Sequence, residues 1–252
     1  MIIQCVDSEL LLIAQDDHAA LAARIMTAWR LDSVTERSTR ARVLEATRQH
    51  DLGWQPVDAA PNVSAETGMP YDFLNAPVEV RQGVWPRAIQ QLASQDAYVA
   101  ALVAHHALTV YRRLASTRGW EEFFVEIKKM RDQVLATQDL GLDVLLRDYA
   151  IVGMGDLWSL VFCNGWREEH SMEGFRAVLY RGVLAGAASD AGTVDGGWLE
   201  ITPDPFGGAM VPLEIRARRI PARPYSSDAD LHQTLAHAPT VLLKGTAAGR
   251  QP

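Results

Sequence analysis

The sequence is poor in cysteine, and this shortage excludes two common ways of stabilising a fold. Its 252 residues include only two cysteines, Cys5 and Cys163, which are far apart and form no CxxC motif. Neither a disulfide framework nor a zinc site built from thiolates is therefore encoded. A chain of this length buries a large core without such staples, so any bound metal would serve function and not folding.

Basic residues, long apolar runs and several catalytic motifs are also scarce. With 24 Lys and Arg against 31 Asp and Glu, the net charge of -7 argues against nucleic acid as a partner. No window approaches the roughly 18 consecutive apolar residues of a membrane span, and the start of the sequence does not resemble a signal peptide. We therefore expect a cytoplasmic protein with no membrane partner. A GxxxxGKS phosphate loop and a serine with a paired His/Asp pattern are missing as well.

The first two thirds of the sequence have a helical pattern. Two short apolar runs at 1–6 and 10–15 are typical of a β-hairpin. Apolar residues then recur with helical spacing as far as Cys163. This periodicity predicts helices at about 16–29, 35–50, 86–93, 96–115, 121–137 and 140–163.

The composition changes near Arg167. Glycine-rich turns separate β-like runs at 198–202, 209–219 and 241–244, and a short helix is predicted at 227–238. We expect a mainly α fold, with a helical bundle at 1–166 that includes the hairpin and a small β-rich α/β extension at 167–252 packed on it. The two parts can also form one continuous domain.

Four predicted helices each carry a polar group on an otherwise apolar face. The groups are His18, His50 with the adjacent Asp51, His106 and Asp156. A buried carboxylate such as Asp156 is costly unless it is paired or binds a metal. One such histidine alone would usually be a core residue with satisfied hydrogen bonds, whereas four groups converging on one core favour a metal site. Two imidazoles and two carboxylates suit Mn, Fe, Co, Ni or Zn.

A long loop, 53–77, follows the His50-Asp51 pair. Loops of this length inside compact domains are often lids or walls of a site. We expect Trp54, Asp58 and Asp72 from this loop to contact a substrate, together with His105. For Trp54, simple anchoring of the loop in the core is an equally good interpretation.

Four short motifs resemble the bacterial family known as domain of unknown function 3891 (DUF3891). They are Gln15-x-Asp17-His18-Ala19, His50-Asp51-x-Gly53-Trp54, Thr67-Gly68-x-Pro70-Tyr71-Asp72-Phe73 and Arg218-Arg219-Ile220-Pro221-x-Arg223-Pro224-Tyr225. The resemblance spans nearly the whole chain. The family has no established activity, so the resemblance implies membership and not a reaction.

The order of His18, His50-Asp51 and Asp156 also resembles the HD-domain superfamily of metal-dependent phosphohydrolases, whose mark is H…HD…D on a helical bundle. This resemblance implies an HD-like bundle with all four residues as metal ligands, and with Asp51 as the bridge if two metals bind. His106 would then bind a second metal or donate a hydrogen bond to a substrate oxygen. Adjacent His105 and His106 cannot both face one point on a regular helix, so the sequence does not predict a complete second metal site.

Together these features predict a metal-dependent hydrolase of a small phosphorylated substrate. Asp51 and His106 are the expected catalytic residues, and a metal-activated water is the expected nucleophile. Two alternatives stay open: an HD-fold oxygenase with a di-iron centre, and a non-catalytic HD-like module that binds a small ligand or a partner. The expected partner is a small molecule such as a phosphate ester, and a homodimer is compatible with the sequence.

Overall fold

The chain begins with the predicted β-hairpin. The structure is a computed structural model, and it describes residues 1–30, 38–181 and 192–251. Strand β1 (Ile2–Val6) pairs antiparallel with β2 (Glu9–Ile13). Asp7 takes a positive φ of 54° in the tight turn, a conformation that aspartate tolerates better than most residues. The hairpin predicted from the two apolar runs is thus confirmed.

Helices dominate the middle of the chain. Within the described ranges they are α1 (Gln15–Ala28), α2 (Arg40–Gln49), α3 (Gln55–Ala59), α4 (Val78–Ala93), α5 (Ala97–Val110), α6 (Glu121–Leu135) and α7 (Leu142–Asn164). Helix α4 begins well before Pro86, where the sequence predicts its start. The predicted start of α2 at Thr35 lies outside the described residues. No helix in the described ranges is long and apolar enough to cross a membrane.

A seven-stranded sheet forms the other half of the fold. After α7 come β3 (His170–Met172), β4 (Phe175–Tyr180), β5 (Thr193–Thr202), β6 (Met210–Pro221), α8 (Asp228–His237) and β7 (Thr240–Gly249). The strand order is β1-β2-β6-β7-β5-β4-β3, and neighbouring strands are antiparallel except for the parallel pair of β5 and β7. Because β2 pairs with β6, strands from both ends of the chain belong to one sheet.

The expectation of a mainly α, HD-like bundle with only a small β-rich segment is wrong, because a large mixed sheet spans the chain. The pairing of β2 with β6 joins segments that are far apart in the sequence, so it cannot be predicted from local sequence patterns. The sequence predicts a turn at Gly196 and the end of the last β-like run before Gly245, yet both glycines lie within strands. A Cβ on either would come within 2.5 Å of the Phe162 ring, so these glycines make room for α7.

Helices α1 and α7 connect the sheet to the remaining helices. Helix α1 packs on β6, α7 packs on β1, β4 and β5, and the two helices pack on each other. Helix α2 contacts α1, α5 and α7, while α4 and α6 pack on α5. One continuous buried core runs through the sheet and these helices. The helices that carry the predicted site residues are therefore packed as one group.

Candidate metal centre

The predicted polar groups converge where α1, α2, α5 and α7 meet. His18 lies in the first turn of α1, His50 ends α2, and Asp51 follows directly. Asp156 lies in the second half of α7, and His106 lies in the last turns of α5. Packing of these four helices brings residues from distant parts of the sequence to one point.

Two glycines allow close approach around this point. A Cβ on Gly155 of α7 would lie 2.8 Å from both Met26 of α1 and Thr47 of α2. A Cβ on Gly53 would collide with the backbone carbonyl of Val84 on α4. Any larger residue at either position would push a neighbouring helix away from the polar groups.

Four donor atoms lie within coordinating distance of their neighbours. The Nε2 atoms of His18 and His50 are 3.0 Å apart. One oxygen of Asp51 and one of Asp156 each lie 3.3 Å from the first nitrogen and 3.4 Å from the second. Ligand atoms about 2.1 Å from a transition metal are separated by roughly 3.0 to 3.4 Å in octahedral or tetrahedral geometry. The distances from each nitrogen therefore suit a shared metal ion, and we call these four residues the His/Asp cluster.

Hydrogen bonds on the outer side of the imidazoles direct both Nε2 lone pairs into the cluster. His50 Nδ1 lies 2.7 Å from the Thr47 carbonyl oxygen, which can only accept, so Nδ1 donates. His18 Nδ1 lies 2.7 Å from the Ser159 hydroxyl, whose own proton goes to the Asp156 carbonyl oxygen at 3.0 Å. His18 Nδ1 is then also a donor. Two lone pairs and two carboxylates facing one another repel unless a cation lies between them.

The cluster is buried, and its charges act strongly on one another. Burial opposes charge on the imidazoles, but the carboxylates of Asp51 and Asp156 outweigh it and raise the pKa of His50 to about 9. The same carboxylates raise the pKa of His18. Burial also opposes charge on the two carboxyls, yet the imidazoles hold the pKa of both well below its usual value. A field of this sign stabilises a cation, whether a proton or a metal ion.

His106 extends the cluster on one side. Its Nε2 lies 3.9 Å from the second carboxylate oxygen of Asp156. Two groups of three in the described ranges can hold a metal ion: His18, His50 and Asp51, and His50, His106 and Asp156. Both groups include His50, and one imidazole nitrogen binds one ion, so they are not independent ligand sets. Burial lowers the pKa of His106 to about 4, and this ring is neutral at pH 7.

The residues predicted from the 53–77 loop lie in different surroundings. Trp54 is buried and lines the cavity beside the cluster. Asp58 accepts a hydrogen bond from the Gln15 backbone N–H at 2.6 Å and pairs with the N-terminal amine at 2.5 Å. Asp72 accepts hydrogen bonds from two backbone N–H groups of its own turn. Both aspartates line a separate, smaller cavity.

His105 makes its contacts away from the cluster. Its Nδ1 accepts a hydrogen bond from Arg131 at 3.3 Å, and its ring packs edge-on against Tyr149. Burial and the charge of Arg131 lower the pKa of His105 to about 4. Adjacent helical residues point about 100° apart, so His105 and His106 face different neighbours.

A cavity of about 210 Å³ opens beside the His/Asp cluster. Asp51, His106 and Asp156 are among its polar lining residues. Much of the remaining lining is apolar and includes Trp54, Phe73, Leu74, Trp85, Val110 and Leu114. A concave, apolar space with a few convergent polar groups is typical of a small-molecule site. A ligand in this cavity would lie against the carboxylates of the cluster.

The sequence reasoning gives no site role to three polar residues that belong to this region, although Gln15 is part of the first family motif. Ser159 orients His18. It lies three residues after Asp156, and residues at this spacing share one face of a helix, so the sequence does hold a signal for its position. Gln15 and Arg81 line the cavity. Arg81 lies on the part of α4 that precedes the predicted helix start, so no periodicity assigned its direction.

The fold and the cluster define a mixed α/β protein with a buried histidine–aspartate centre beside a small cavity. The sequence model of a family described as protein of unknown function (DUF3891) matches residues 1–222, which include the whole cluster. The chain therefore belongs to this family, as its four motifs predict. No curated protein and no solved structure shows significant similarity to the chain.

Proposed function

We propose that the chain is a metal-dependent hydrolase of a small phosphorylated substrate. One observation carries the proposal: the Nε2 atoms of His18 and His50 face each other at 3.0 Å, with two carboxylates beside them at the edge of a cavity. The order of the four residues along the chain is similar to the H…HD…D order of HD-superfamily phosphohydrolases, which also supports hydrolysis. The large sheet sets this fold apart from the HD helical bundle.

The donor set favours a divalent transition metal. Two nitrogens and two carboxylate oxygens suit Mn, Fe, Co, Ni or Zn better than Mg or Ca alone. His18, His50, Asp51 and Asp156 would hold the ion, and the outer hydrogen bonds of the imidazoles keep both rings oriented towards it. When bound, such a metal lowers the pKa of a water molecule towards neutrality and polarises a phosphoryl oxygen.

Asp51 and His106 are the proposed catalytic residues. Burial raises the pKa of Tyr149, so its hydroxyl keeps its proton and can donate it to His106 Nδ1, which lies 3.1 Å away. His106 Nε2 then carries a proton on the side of Asp156, where it can donate to a substrate oxygen. The Asp51 carboxylate lines the cavity and accepts a hydrogen bond from the attacking water, which orients it.

The proposed reaction is the hydrolysis of a phosphate ester. The oxygen of water bonds to phosphorus, and the ester P–O bond breaks. The departing alcohol oxygen takes up the proton that water loses, so the products are an alcohol and inorganic phosphate.

Metal content is the most direct test. Protein purified without added metal or chelator should contain about one transition-metal ion per chain by elemental analysis. Hydrolysis of p-nitrophenyl phosphate and of bis(p-nitrophenyl) phosphate should then appear with Mn²⁺, disappear with a chelator and return when Mn²⁺ is restored. Protein that contains no metal and does not bind Mn²⁺ would overturn the proposal.

The same preparations separate the other two functions. A di-iron oxygenase needs two ligand sets, whereas the two candidate groups in the described chain share His50. Oxygen consumption with Fe²⁺ but no phosphate release would support the oxygenase and contradict the hydrolase. Binding of metal or ligand without turnover in either assay would support a non-catalytic binding module.

A further inference from the structure

The cavity beside the His/Asp cluster has an apolar mouth. Leu74 and Val110 belong to its lining and are 58% and 43% exposed, among the most exposed large hydrophobic side chains of the described residues. Covering them with an apolar ligand group removes this surface from water, which is favourable. Phe73 and Leu114 belong to the same lining.

Arg81 supplies a positive charge to the same cavity. Its Nε is buried without a hydrogen-bond partner, and its guanidinium lies 5.4 Å from the centre of the Trp120 ring. No ion pair in the described part of the chain joins Arg81 to a carboxylate. A guanidinium in these surroundings gains most from an anion that accepts two of its N–H donors. Phosphate and phosphonate groups meet this requirement.

Gln15 gives the cavity a second polar group without a partner. Its side chain is 2% exposed, it lines the cavity, and its Oε1 accepts no hydrogen bond. A buried amide oxygen without a partner is unfavourable, so a ligand that donates a hydrogen bond to it is stabilised. The amide can accept from a ligand O–H or, in its other orientation, donate to a phosphoryl oxygen.

We propose that this cavity selects a small phosphate ester whose alcohol part is apolar, with Arg81 as the residue that binds the phosphate group. This inference rests on the proposed hydrolase function and names its substrate class. A sugar phosphate would bury several hydroxyls against the apolar lining, where they would lack partners. An aryl or short alkyl group would instead contact Leu74 and Val110.

Phosphonates test this inference without turnover, because their C–P bond is not hydrolysed. Protein loaded with Mn²⁺ is titrated by calorimetry with phenylphosphonate, methylphosphonate and 2,3-dihydroxypropylphosphonate. We expect phenylphosphonate to bind about tenfold more tightly than the other two, because only its ring covers the apolar mouth.

Two variants separate the anion site from the apolar mouth. Arg81→Gln should weaken all three phosphonates by about tenfold to a hundredfold, while Arg87→Gln, exposed on the same helix, should change none. Leu74→Ser should weaken only phenylphosphonate, by about threefold to tenfold, and Leu146→Ser, an exposed apolar control on α7, should not. Thermal unfolding checks that each variant folds. If Arg81→Gln does not fold, Leu74→Ser still tests the contribution of the apolar mouth.

Equal affinities for the three phosphonates, no binding of any, or a folded Arg81→Gln variant that binds like the wild type would overturn the inference. If phenylphosphonate binds most tightly but no phosphate is released from phenyl phosphate, the result contradicts the hydrolase function and supports the proposed class of ligand. Faster hydrolysis of glycerol phosphate than of phenyl phosphate would do the reverse.

Discussion

Two aspartates on α7 are both largely buried, yet their surroundings differ. Asp148 accepts a hydrogen bond from the Tyr98 hydroxyl at 2.8 Å. Asp156, about two turns later, lies 3.3 and 3.4 Å from two imidazole nitrogens and lines a cavity. Burial of a carboxylate is therefore not by itself a sign of a functional site. The kind of partner and the access for a ligand make the difference.

The two sites differ in where the protons lie. Burial and the carboxylate of Asp148 raise the pKa of Tyr98 well above its usual value, so the hydroxyl keeps its proton and donates it to Asp148. Outward hydrogen bonds engage the Nδ1 protons of the imidazoles around Asp156 and leave both Nε2 atoms facing the carboxylates. Asp148 therefore has a hydrogen-bond donor within the protein, whereas the carboxylates of the His/Asp cluster are stabilised by a cation, either a proton on the imidazoles or a metal ion.

The largest expected effect is on metal binding. Asp156→Asn removes a charged ligand, and we expect the metal affinity to fall by more than about a hundredfold. Asp148→Asn should leave the affinity within about twofold of the wild type, because it removes no ligand. Titration with Mn²⁺ measures both, with Asp143→Asn as an exposed control on the same helix. Similar losses for Asp148→Asn and Asp156→Asn would erase the distinction between the two sites.

The next largest effect is that of pH on the stability of metal-free protein. The pKa of His50 is about 9 in the folded chain, against an ordinary value of 6.5. Protonated His50 therefore stabilises the folded chain fully below pH 6.5. This contribution to the free energy of unfolding, on the order of 3 kcal/mol, is lost as the pH rises through 9. Denaturant unfolding with a chelator at pH 6.5 and pH 9 measures the loss.

Saturating Mn²⁺ should oppose this trend, because metal binding displaces protons from the cluster and strengthens as the pH rises. His237→Gln, which changes a histidine outside the cluster, should leave the pH dependence as it is. Equal stability of the metal-free protein at pH 6.5 and pH 9 would contradict the raised pKa of His50 and the effect of the two carboxylates on it.

A smaller effect is expected at the other aspartate. Tyr98→Phe removes the hydroxyl that donates to Asp148 and leaves a buried carboxylate oxygen without its partner. We expect the free energy of unfolding to fall by about 1–3 kcal/mol, with the metal content unchanged. Chemical denaturation and elemental analysis measure the two quantities, and Tyr180→Phe on the sheet is the exposed control. Loss of metal in Tyr98→Phe would mean that the two sites are coupled.

The smallest expected effect is that of Ser159→Ala. The variant removes the acceptor that orients His18, and we expect about a tenfold lower metal affinity with little change in stability. Calorimetric titration with Mn²⁺ measures this, and Ser171→Ala on β3 is the control. An unchanged affinity would show that packing alone holds the His18 ring.

Local patterns predict a large part of the candidate centre. The helical period of 3.6 residues places His18, His106 and Asp156 on buried faces, and the structure brings them together with His50 and Asp51. The size of the sheet could not be predicted in the same way. Gly245 suggests the end of a strand, although β7 continues through it beneath Phe162.

The loop after His50-Asp51 shows a second limit of local patterns. Its position suggests that Asp58 and Asp72 face a substrate, but Asp58 pairs with the N-terminal amine and Asp72 bonds to its own turn. Polar loop residues have several ways to satisfy their hydrogen bonds, and composition does not choose among them.

Residues close together in the chain are enough to predict the family, the hairpin and the buried faces on which the imidazoles and carboxylates lie. Three further features are visible only in the folded chain: β2 joins β6, Ser159 orients His18, and Arg81 and Gln15 share a cavity with Asp51. These contacts join residues far apart in sequence, and their geometry follows from how the helices and the sheet pack.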